Sequence, residues 1–133
     1  MGFFRDLHQG YLGTLKGADV EEIPDLLVYR PLAYAGVRLV EPTRLTANQI
    51  SIASIFAGVL AGWLIGMDAT WSLRLGALLV VLYNIMDCMD GQLARLRGSS
   101  SSFGYVLDGV AGYIGTAAIM LGIGHAVASR HGA

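Results

Sequence analysis

Three long apolar stretches, separated by short polar segments, dominate the chain after residue 45. The first of them, residues 50–67, contains 18 residues without a charge. Because about 20 apolar residues are needed to cross a bilayer as a helix, we predict transmembrane helices at residues 46–67, 73–90 and 103–128. The second run is short for a span unless it continues into the acidic stretch that follows Met86. The pattern predicts an all-α integral membrane protein.

Residues 1–45 carry too many charges to span a membrane and form the predicted cytoplasmic and interfacial segment. Within it, residues 25–41 combine apolar bulk with tyrosines and spaced charges, which is typical of an amphipathic helix lying in the membrane interface. Pro31 would kink this helix or restart it as a first-turn residue. Residues 1–24 are mixed in character and predict a solvated loop or a short surface helix.

Two local signals mark the first span. Thr46 followed three residues later by Gln49 predicts a capping box, with Thr46 as the N-cap. Gly58, Gly62 and Gly66 recur at four-residue spacing, so they share one helix face. Small residues at that spacing allow another helix backbone to approach closely, and this face is therefore predicted to pack against protein rather than lipid.

Composition and charge agree with this assignment. Hydrophobic residues make up 54% of the chain and charged residues 14%, compared with about 25% charged residues in an ordinary soluble domain. The formal net charge of −1 offers no basic field for nucleic acid. Seven basic residues lie on one predicted side of the membrane and two on the other, so the positive-inside rule predicts that the N-terminus and the loop after the second span are cytoplasmic. The seven are Arg5, Lys16, Arg30, Arg38, Arg44, Arg95 and Arg97, and the two are Arg74 and Arg130.

The candidate chemistry is concentrated between residues 87 and 112. Asp87 and Asp90 are three residues apart, so on a helix they share a face, and unpaired they would repel each other. A divalent cation such as Mg²⁺ or Mn²⁺ would remove that conflict, and Asp108 returns from the next helix as a third carboxylate. Arg95 supplies a guanidinium group that matches the geometry of a phosphate. Gly91 has no side chain, so backbone or a ligand can approach closely there. This combination at a membrane face indicates phosphoryl-group chemistry.

A purely structural interpretation is also open. The aspartates could cap helix ends or pair with Arg95 and Arg97, as charged residues at the ends of membrane helices often do. For any single aspartate that interpretation competes with the functional one. For three aspartates at fixed spacings around Gly91 and Arg95, the functional interpretation is favoured.

At these residues the sequence resembles the CDP-alcohol phosphotransferases, whose signature is D-x2-D-G-x2-A-R-x8-G-x3-D-x3-D. The stretch TANQIS at residues 46–51 is also similar to the entry of the family's first helix, and YRPLAYAGVRL at residues 29–39 to its interfacial helix. The positions that match the signature here are Asp87, Asp90, Gly91, Ala94, Arg95, Gly104 and Asp108.

The resemblance implies a membrane enzyme of phospholipid biosynthesis. Such an enzyme moves a phosphoalcohol or phosphatidyl group from a CDP-linked donor to an acceptor alcohol, releases CMP and requires Mg²⁺ or Mn²⁺ at a two-metal site. Carried over by position, the three aspartates would bind the metals. The residues expected to contact the CDP portion are Asn48, Gln49, Ile50, Ser51, Gly91, Arg95 and Ser101. By themselves, Asn48, Ser51 and Ser101 would be ordinary polar residues of helix ends and loops.

Two departures from the family pattern bear on activity. The fourth aspartate of the signature, which the resemblance implies is a metal ligand and the general base, falls at position 112, where this chain has glycine. No catalytic base is therefore predicted, and loss of a positioned base typically costs about 10²–10⁴ in rate. The resemblance also implies a six-helix bundle, of which the three predicted spans are half.

Three hypotheses follow. In the first, the chain is an active CDP-alcohol phosphotransferase that is either incomplete as given or completed by a second copy, as in a homodimer, or by a partner chain. Alternatively, it is a catalytically impaired relative that keeps metal and CDP binding and serves in membrane assembly. The third possibility, a small metal-binding membrane module for ion passage, leaves the match at Gly91, Ala94, Arg95 and Gly104 unexplained. The residues do not distinguish among possible acceptor alcohols.

Overall fold

The structure is a computed structural model that describes residues 2–14 and 25–132, and every secondary-structure element within those ranges is a helix. This confirms the all-α prediction. Lys16 and the rest of residues 15–24, part of the predicted surface segment, lie outside the described residues. The helices are α1 (Gly2–Thr14), α2 (Arg30–Val40), α3 (Ala47–Gly66), α4 (Thr70–Leu96) and α5 (Ser102–His131), with a π-helical turn at Asp25–Tyr29.

Three of these helices, α3, α4 and α5, are long and apolar enough to cross a membrane. The chain is thus a multi-pass integral membrane protein. The first predicted span matches α3 within one residue at each end. The other two helices are longer than the predicted spans: α4 runs on to Leu96 and α5 to His131. As a result, the whole acidic stretch after Met86 is continuous helix.

The N-terminal helices pack beside the end of α4. Pro31 occupies the first turn of α2, where its missing N–H breaks no helical hydrogen bond, so it restarts the helix after the π-helical turn. The inner face of α2 buries Tyr34 and Val37, and the ring of Tyr34 meets that of Tyr11 on α1 edge-on at 5.6 Å. Leu39, on the outer face, is 77% exposed. An exposed leucine on a charged helix suits the predicted position in the membrane interface.

Helix α3 is the centre of the bundle, because it packs along most of its length against both α4 and α5. Its glycines make the contact with α5 unusually close. A Cβ atom added at Gly58 would lie 2.7 Å from the Cα of Gly115, and one added at Gly122 would overlap the carbonyl group of Gly62. The prediction that this glycine face packs against protein is confirmed.

Helices α4 and α5 have little contact with each other, and Tyr83 of α4 takes part in it. The Tyr83 hydroxyl donates a hydrogen bond of 2.9 Å to the carbonyl oxygen of Gly112. A Cβ atom at Gly115 would overlap the phenol ring, so the glycine makes room for it. Tyr83 therefore sets the spacing of α4 and α5 next to position 112.

Candidate functional site

A cavity of about 390 Å³ lies where the C-terminal part of α4 meets the first turns of α3 and α5. We refer to it as the polar pocket. Its wall on α4 includes Asp90, Gly91, Ala94, Arg95 and Arg97. The remaining lining residues are Thr46, Ala47, Asn48 and Ser51 at the start of α3, Ser99, Ser100 and Ser101 in the loop, and Gly104, Tyr105 and Asp108 on α5.

Two helix N-termini open onto this pocket. Thr46 caps α3: its hydroxyl accepts from the backbone N–H of Gln49 at 3.2 Å, and the Gln49 side chain accepts from the N–H of Thr46 at 3.0 Å. The predicted capping box is confirmed. Ser101 caps α5 by accepting from the N–H of Gly104 at 3.0 Å. Because unpaired N–H groups and the positive end of the helix dipole gather at such ends, both favour a bound anion.

The guanidinium group of Arg95 lies directly over Gly91 on the wall formed by α4. A Cβ atom at position 91 would be only 3.2 Å from an Arg95 Nη atom, so a larger residue would require the guanidinium group to shift by a few tenths of an ångström. Glycine at this position allows the close approach of the guanidinium group, and its backbone conformation is not unusual. The pocket thereby gains a fixed cation beside the two helix N-termini.

Asp90 provides the opposite charge at the base of the pocket and is only 2% exposed. Its Oδ2 atom accepts a hydrogen bond of 2.5 Å from the hydroxyl of Ser51, which ties α4 to α3. Its Oδ1 atom is buried, and no hydrogen-bond donor among the described residues reaches it. Burying a carboxylate oxygen without a partner is costly, so this atom is a candidate ligand for a cation.

A second cavity, of about 420 Å³, lies between α4 and α5 and is called here the α4–α5 groove. It is lined by Asp87 and Asp108 together with Tyr83, Asn84, Gly109, Gly112, Tyr113 and Thr116. Asp108 lines both cavities, so its carboxylate lies at their junction. A Cβ atom at Gly112 would meet only the Oδ1 atom of Asp87, at 3.9 Å, which leaves space for a side chain at position 112.

The structure brings most of the predicted site residues together. Asn48, Ser51, Asp90, Gly91, Arg95, Ser101 and Asp108 line the polar pocket, whereas Asp87 and Gly112 line the groove. Gln49 and Ile50, although described, line neither cavity. The side chain of Gln49 completes the capping box, and Ile50 is packed in a core cluster with Val37 and Leu93. Their predicted contact with a CDP group gains no support from this placement.

The aspartates are also not simple helix caps. Asp87 and Asp90 lie well inside α4, and Asp108 lies inside α5. Arg97, which could have paired with them, donates its hydrogen bonds to backbone carbonyls instead. The interpretation of the aspartates as helix caps is therefore wrong.

The predicted metal site fits the structure only in part. Within residues 2–14 and 25–132, no three His, Cys, Asp or Glu side chains lie close enough together to hold one ion. The chemistry of the proposed ligands nevertheless suits a hard divalent cation, because all three side chains are carboxylates. The buried Oδ1 atom of Asp90 also needs a partner. Binding of Mg²⁺ or Mn²⁺ remains a prediction.

Sequence reasoning missed several residues of the site. Arg97 is considered there only for its charge and as a possible partner of the aspartates, and the groove residues Asn84, Tyr113 and Thr116 are not singled out. Arg97 lines the polar pocket as Arg95 does, but nothing in the local sequence shows that its guanidinium group binds the backbone carbonyls of Glu41, Thr43 and Leu45. The polar residues Asn84 and Thr116 within apolar helices are a usable signal, because polar groups at membrane depth usually face protein or a cavity.

The family model of CDP-alcohol phosphatidyltransferase matches residues 44–131. Ceramide phosphoethanolamine synthase of Drosophila melanogaster is 36% identical over 88 residues, which cover 61% of this chain and 22% of that protein. Phosphatidylinositol phosphate synthase of Corynebacterium glutamicum is 31% identical over 85 residues, covering 64% of this chain and 36% of that protein.

A third relative, the bifunctional IPC transferase and DIPP synthase of Rubrobacter xylanophilus, is 42% identical over 66 residues, which cover 50% of this chain and 14% of that protein. The chain thus spans between 14% and 36% of the length of these relatives. The matched region, residues 44–131, contains the polar pocket, the groove and all three long helices.

Proposed function

This chain belongs to the CDP-alcohol phosphatidyltransferase family, and from that premise we propose that it binds a CDP-linked donor in the polar pocket and transfers its phosphoalcohol or phosphatidyl group to an alcohol, releasing CMP. Members of this family are phospholipid synthases. The observation that carries the proposal is the pocket itself. In it, two helix N-termini and Arg95 face the carboxylates of Asp90 and Asp108.

A nucleoside diphosphate suits a pocket in which positive groups face carboxylates. The start of α5 and the fork of Arg95 suit the phosphate oxygens, since both are geometrically matched to anions. Ser101 accepts the capping hydrogen bond through its oxygen, so its own O–H can still donate to a phosphate. Asn48 lies on the opposite wall and offers an amide that can donate and accept. Arg95, Ser101 and Asn48 are therefore the proposed donor contacts.

Asp87, Asp90 and Asp108 would hold the Mg²⁺ or Mn²⁺ ions that the reaction requires. A bound divalent cation would neutralise phosphate oxygens and stabilise the charge that develops on them. Ser51 keeps the Asp90 carboxylate turned toward the pocket through its 2.5 Å hydrogen bond. The buried Oδ1 atom of Asp90 is then the best-supported metal ligand of the three.

The acceptor alcohol would enter through the α4–α5 groove. The groove shares Asp108 with the polar pocket, so a hydroxyl group in the groove would approach the bound donor at that carboxylate. Asn84, Tyr113 and Thr116 give the groove polar groups suited to a hydroxyl-bearing molecule. The excess of basic residues on the side of the pocket supports a cytoplasmic position for this face.

Gly112 favours a second candidate function. Position 112 lies in the groove with room for a side chain, yet the chain has no carboxylate there to accept the acceptor's proton. The alternative is a relative that binds metal and a CDP-alcohol but needs a second copy or a partner chain for turnover, or has an assembly role in the membrane. An ion-passage module is less well supported, because it leaves the family match over residues 44–131 unexplained.

Donor binding and CMP release test these alternatives with the purified chain in detergent. Binding of CDP is measured calorimetrically with Mg²⁺ present, and CMP release is measured with CDP-diacylglycerol and with CDP-ethanolamine as donors. Asp90→Asn should abolish the Mg²⁺ dependence of CDP binding. If the parent chain and Gly112→Asp neither bind CDP nor release CMP, the transferase proposal fails.

The Gly112→Asp variant is expected to raise CMP release by up to about 10²–10⁴-fold, the usual contribution of a positioned general base. Gly109→Asp is the matched control, because it adds a carboxylate one turn earlier on α5, in the same groove and in open space. An equal gain in both variants would show that position 112 has no special role.

A further inference from the structure

The guanidinium group of Arg97 donates hydrogen bonds to several backbone carbonyls, and none of these acceptors is an acidic side chain. It forms the C-cap of α4, and its guanidinium group reaches the segment that joins α2 to α3. One Nη atom donates to the carbonyl of Leu45. The other donates to the carbonyls of Glu41 at 2.9 Å and Thr43 at 3.0 Å, and lies 3.4 Å from that of Val40.

Arginine suits this position for two reasons. Its planar guanidinium carries several N–H donors in a fixed arrangement, so one side chain can bind several carbonyls at once, which a lysine ammonium on a flexible stem does less well. The carbonyls at the end of α2 also carry the negative end of that helix dipole, which attracts a cation. Arg97 thus supplies a hydrogen bond to the C-cap carbonyl of α2, at Glu41, and to the carbonyls of Thr43 and Leu45 in the segment that follows.

The segment that Arg97 binds leads directly into the polar pocket. Leu45 immediately precedes Thr46, the N-cap of α3, and Asn48 follows within the same turn. Both Thr46 and Asn48 line the pocket. Arg97 is itself two residues beyond Arg95, so it connects the α4 wall of the pocket to the α3 wall. The Ser51–Asp90 hydrogen bond makes a second connection deeper in the bundle.

We propose that Arg97 is a positioning residue, which holds residues 45–48 against the end of α4 so that the N-terminus of α3 and Asn48 face Arg95 across the pocket. Its role in ligand binding rests on the proposed function, since the pocket is there taken to bind a CDP group. The positioning itself does not depend on that assignment.

Three variants test this role. Arg97→Ala removes the guanidinium, Arg97→Lys keeps the charge without the fork, and Arg44→Ala removes an exposed charge from the same segment. The first measurement is backbone amide hydrogen exchange over residues 41–49. Arg97→Ala should accelerate exchange there by about tenfold, the equilibrium equivalent of one hydrogen bond. Arg97→Lys should give an intermediate rate, and Arg44→Ala the parent rate.

The second measurement is the dissociation constant for CDP with Mg²⁺ present. We expect Arg97→Ala to raise it by about tenfold, again the equivalent of one hydrogen bond, and Arg97→Lys to restore only part of the affinity. A simple charge effect would weaken binding equally in Arg97→Ala and Arg44→Ala and would be fully reversed by lysine. Either of those results overturns the proposal, as does unchanged amide exchange in Arg97→Ala.

The two measurements separate this proposal from the proposed function. If the parent chain binds no CDP but Arg97→Ala accelerates exchange at residues 41–49, the proposed function fails and the positioning role stands. If the parent chain binds CDP and Arg97→Ala behaves like Arg44→Ala, the proposed function stands and the positioning role fails.

Discussion

Replacing Gly122 with alanine is expected to push α5 away from α3. Gly122 is buried where the two helices meet, and an added Cβ atom would overlap the carbonyl group of Gly62. The atoms in its way belong to backbone, so no side chain can rotate to make room. Because α3 also packs against α4, any separation from α5 disturbs the centre of the bundle.

Two effects of opposite sign determine how much Gly122→Ala changes the free energy of unfolding. Alanine gains about 1 kcal/mol of helix propensity over glycine. Forcing an extra methyl group into filled space costs typically about 1–3 kcal/mol. Since the obstacle at Gly122 is rigid backbone, we expect a cost in the upper part of that range.

Gly124→Ala provides the matched control. Gly124 lies on the same helix, and nothing is within 4 Å of a Cβ atom added there. The propensity gain is common to both variants, so their difference isolates the packing cost. The free energy of unfolding, measured by denaturant titration in mixed micelles, should be about 2–3 kcal/mol lower for Gly122→Ala than for Gly124→Ala. Equal stability of the two variants would refute the close contact between α3 and α5.

Two further predictions concern polar pairs. Ser51→Ala removes the hydroxyl that donates to buried Asp90 and should lower the free energy of unfolding by about 1–3 kcal/mol, whereas Ser129→Ala, on the exposed end of α5, should change it little. An equal loss in both would contradict the buried pairing. At the opposite end of the bundle, the hydrogen bond from Arg130 lowers the pKa of Asp68 below its ordinary value. The stabilisation from this pair is therefore complete above pH about 4 and is lost as the pH falls through the lowered pKa. When the free energy of unfolding is measured as a function of pH, Asp68→Asn should make its loss at acidic pH smaller. An unchanged loss would show that the pair contributes nothing.

Features encoded within a few consecutive residues could be read from the sequence. The apolar runs predict the three long helices, because a bilayer demands continuous hydrophobic length. The capping box at Thr46 and the glycine face of α3 were also predicted correctly, since hydrogen bonds at three-residue spacing and side-chain volume are local properties. The resemblance to the family rested in the same way on residues at fixed spacing along two helices.

Which side chains meet across helices was decided only by the packing of the bundle. Successive residues of a helix point about 100° apart, so the orientation of α3 determines that Ser51 faces Asp90 while Ile50 enters the core. Asp87 and Asp90 were expected to act together. Three residues make 300° of turn, which leaves their side chains about 60° apart, and they line different cavities with Asp108 between them.

The hydrogen-bond acceptors of Arg97 show most clearly what the sequence leaves undecided. The sequence by itself determined that a cation stands at the end of α4, on the side of the membrane rich in basic residues. Its hydrogen-bond acceptors are backbone carbonyls more than fifty positions earlier in the chain, such as those of Glu41 and Thr43. Every residue has such a carbonyl, so no residue type marks these acceptors in advance. Only the folded arrangement of α2, α3 and α4 brings them within reach of one guanidinium group.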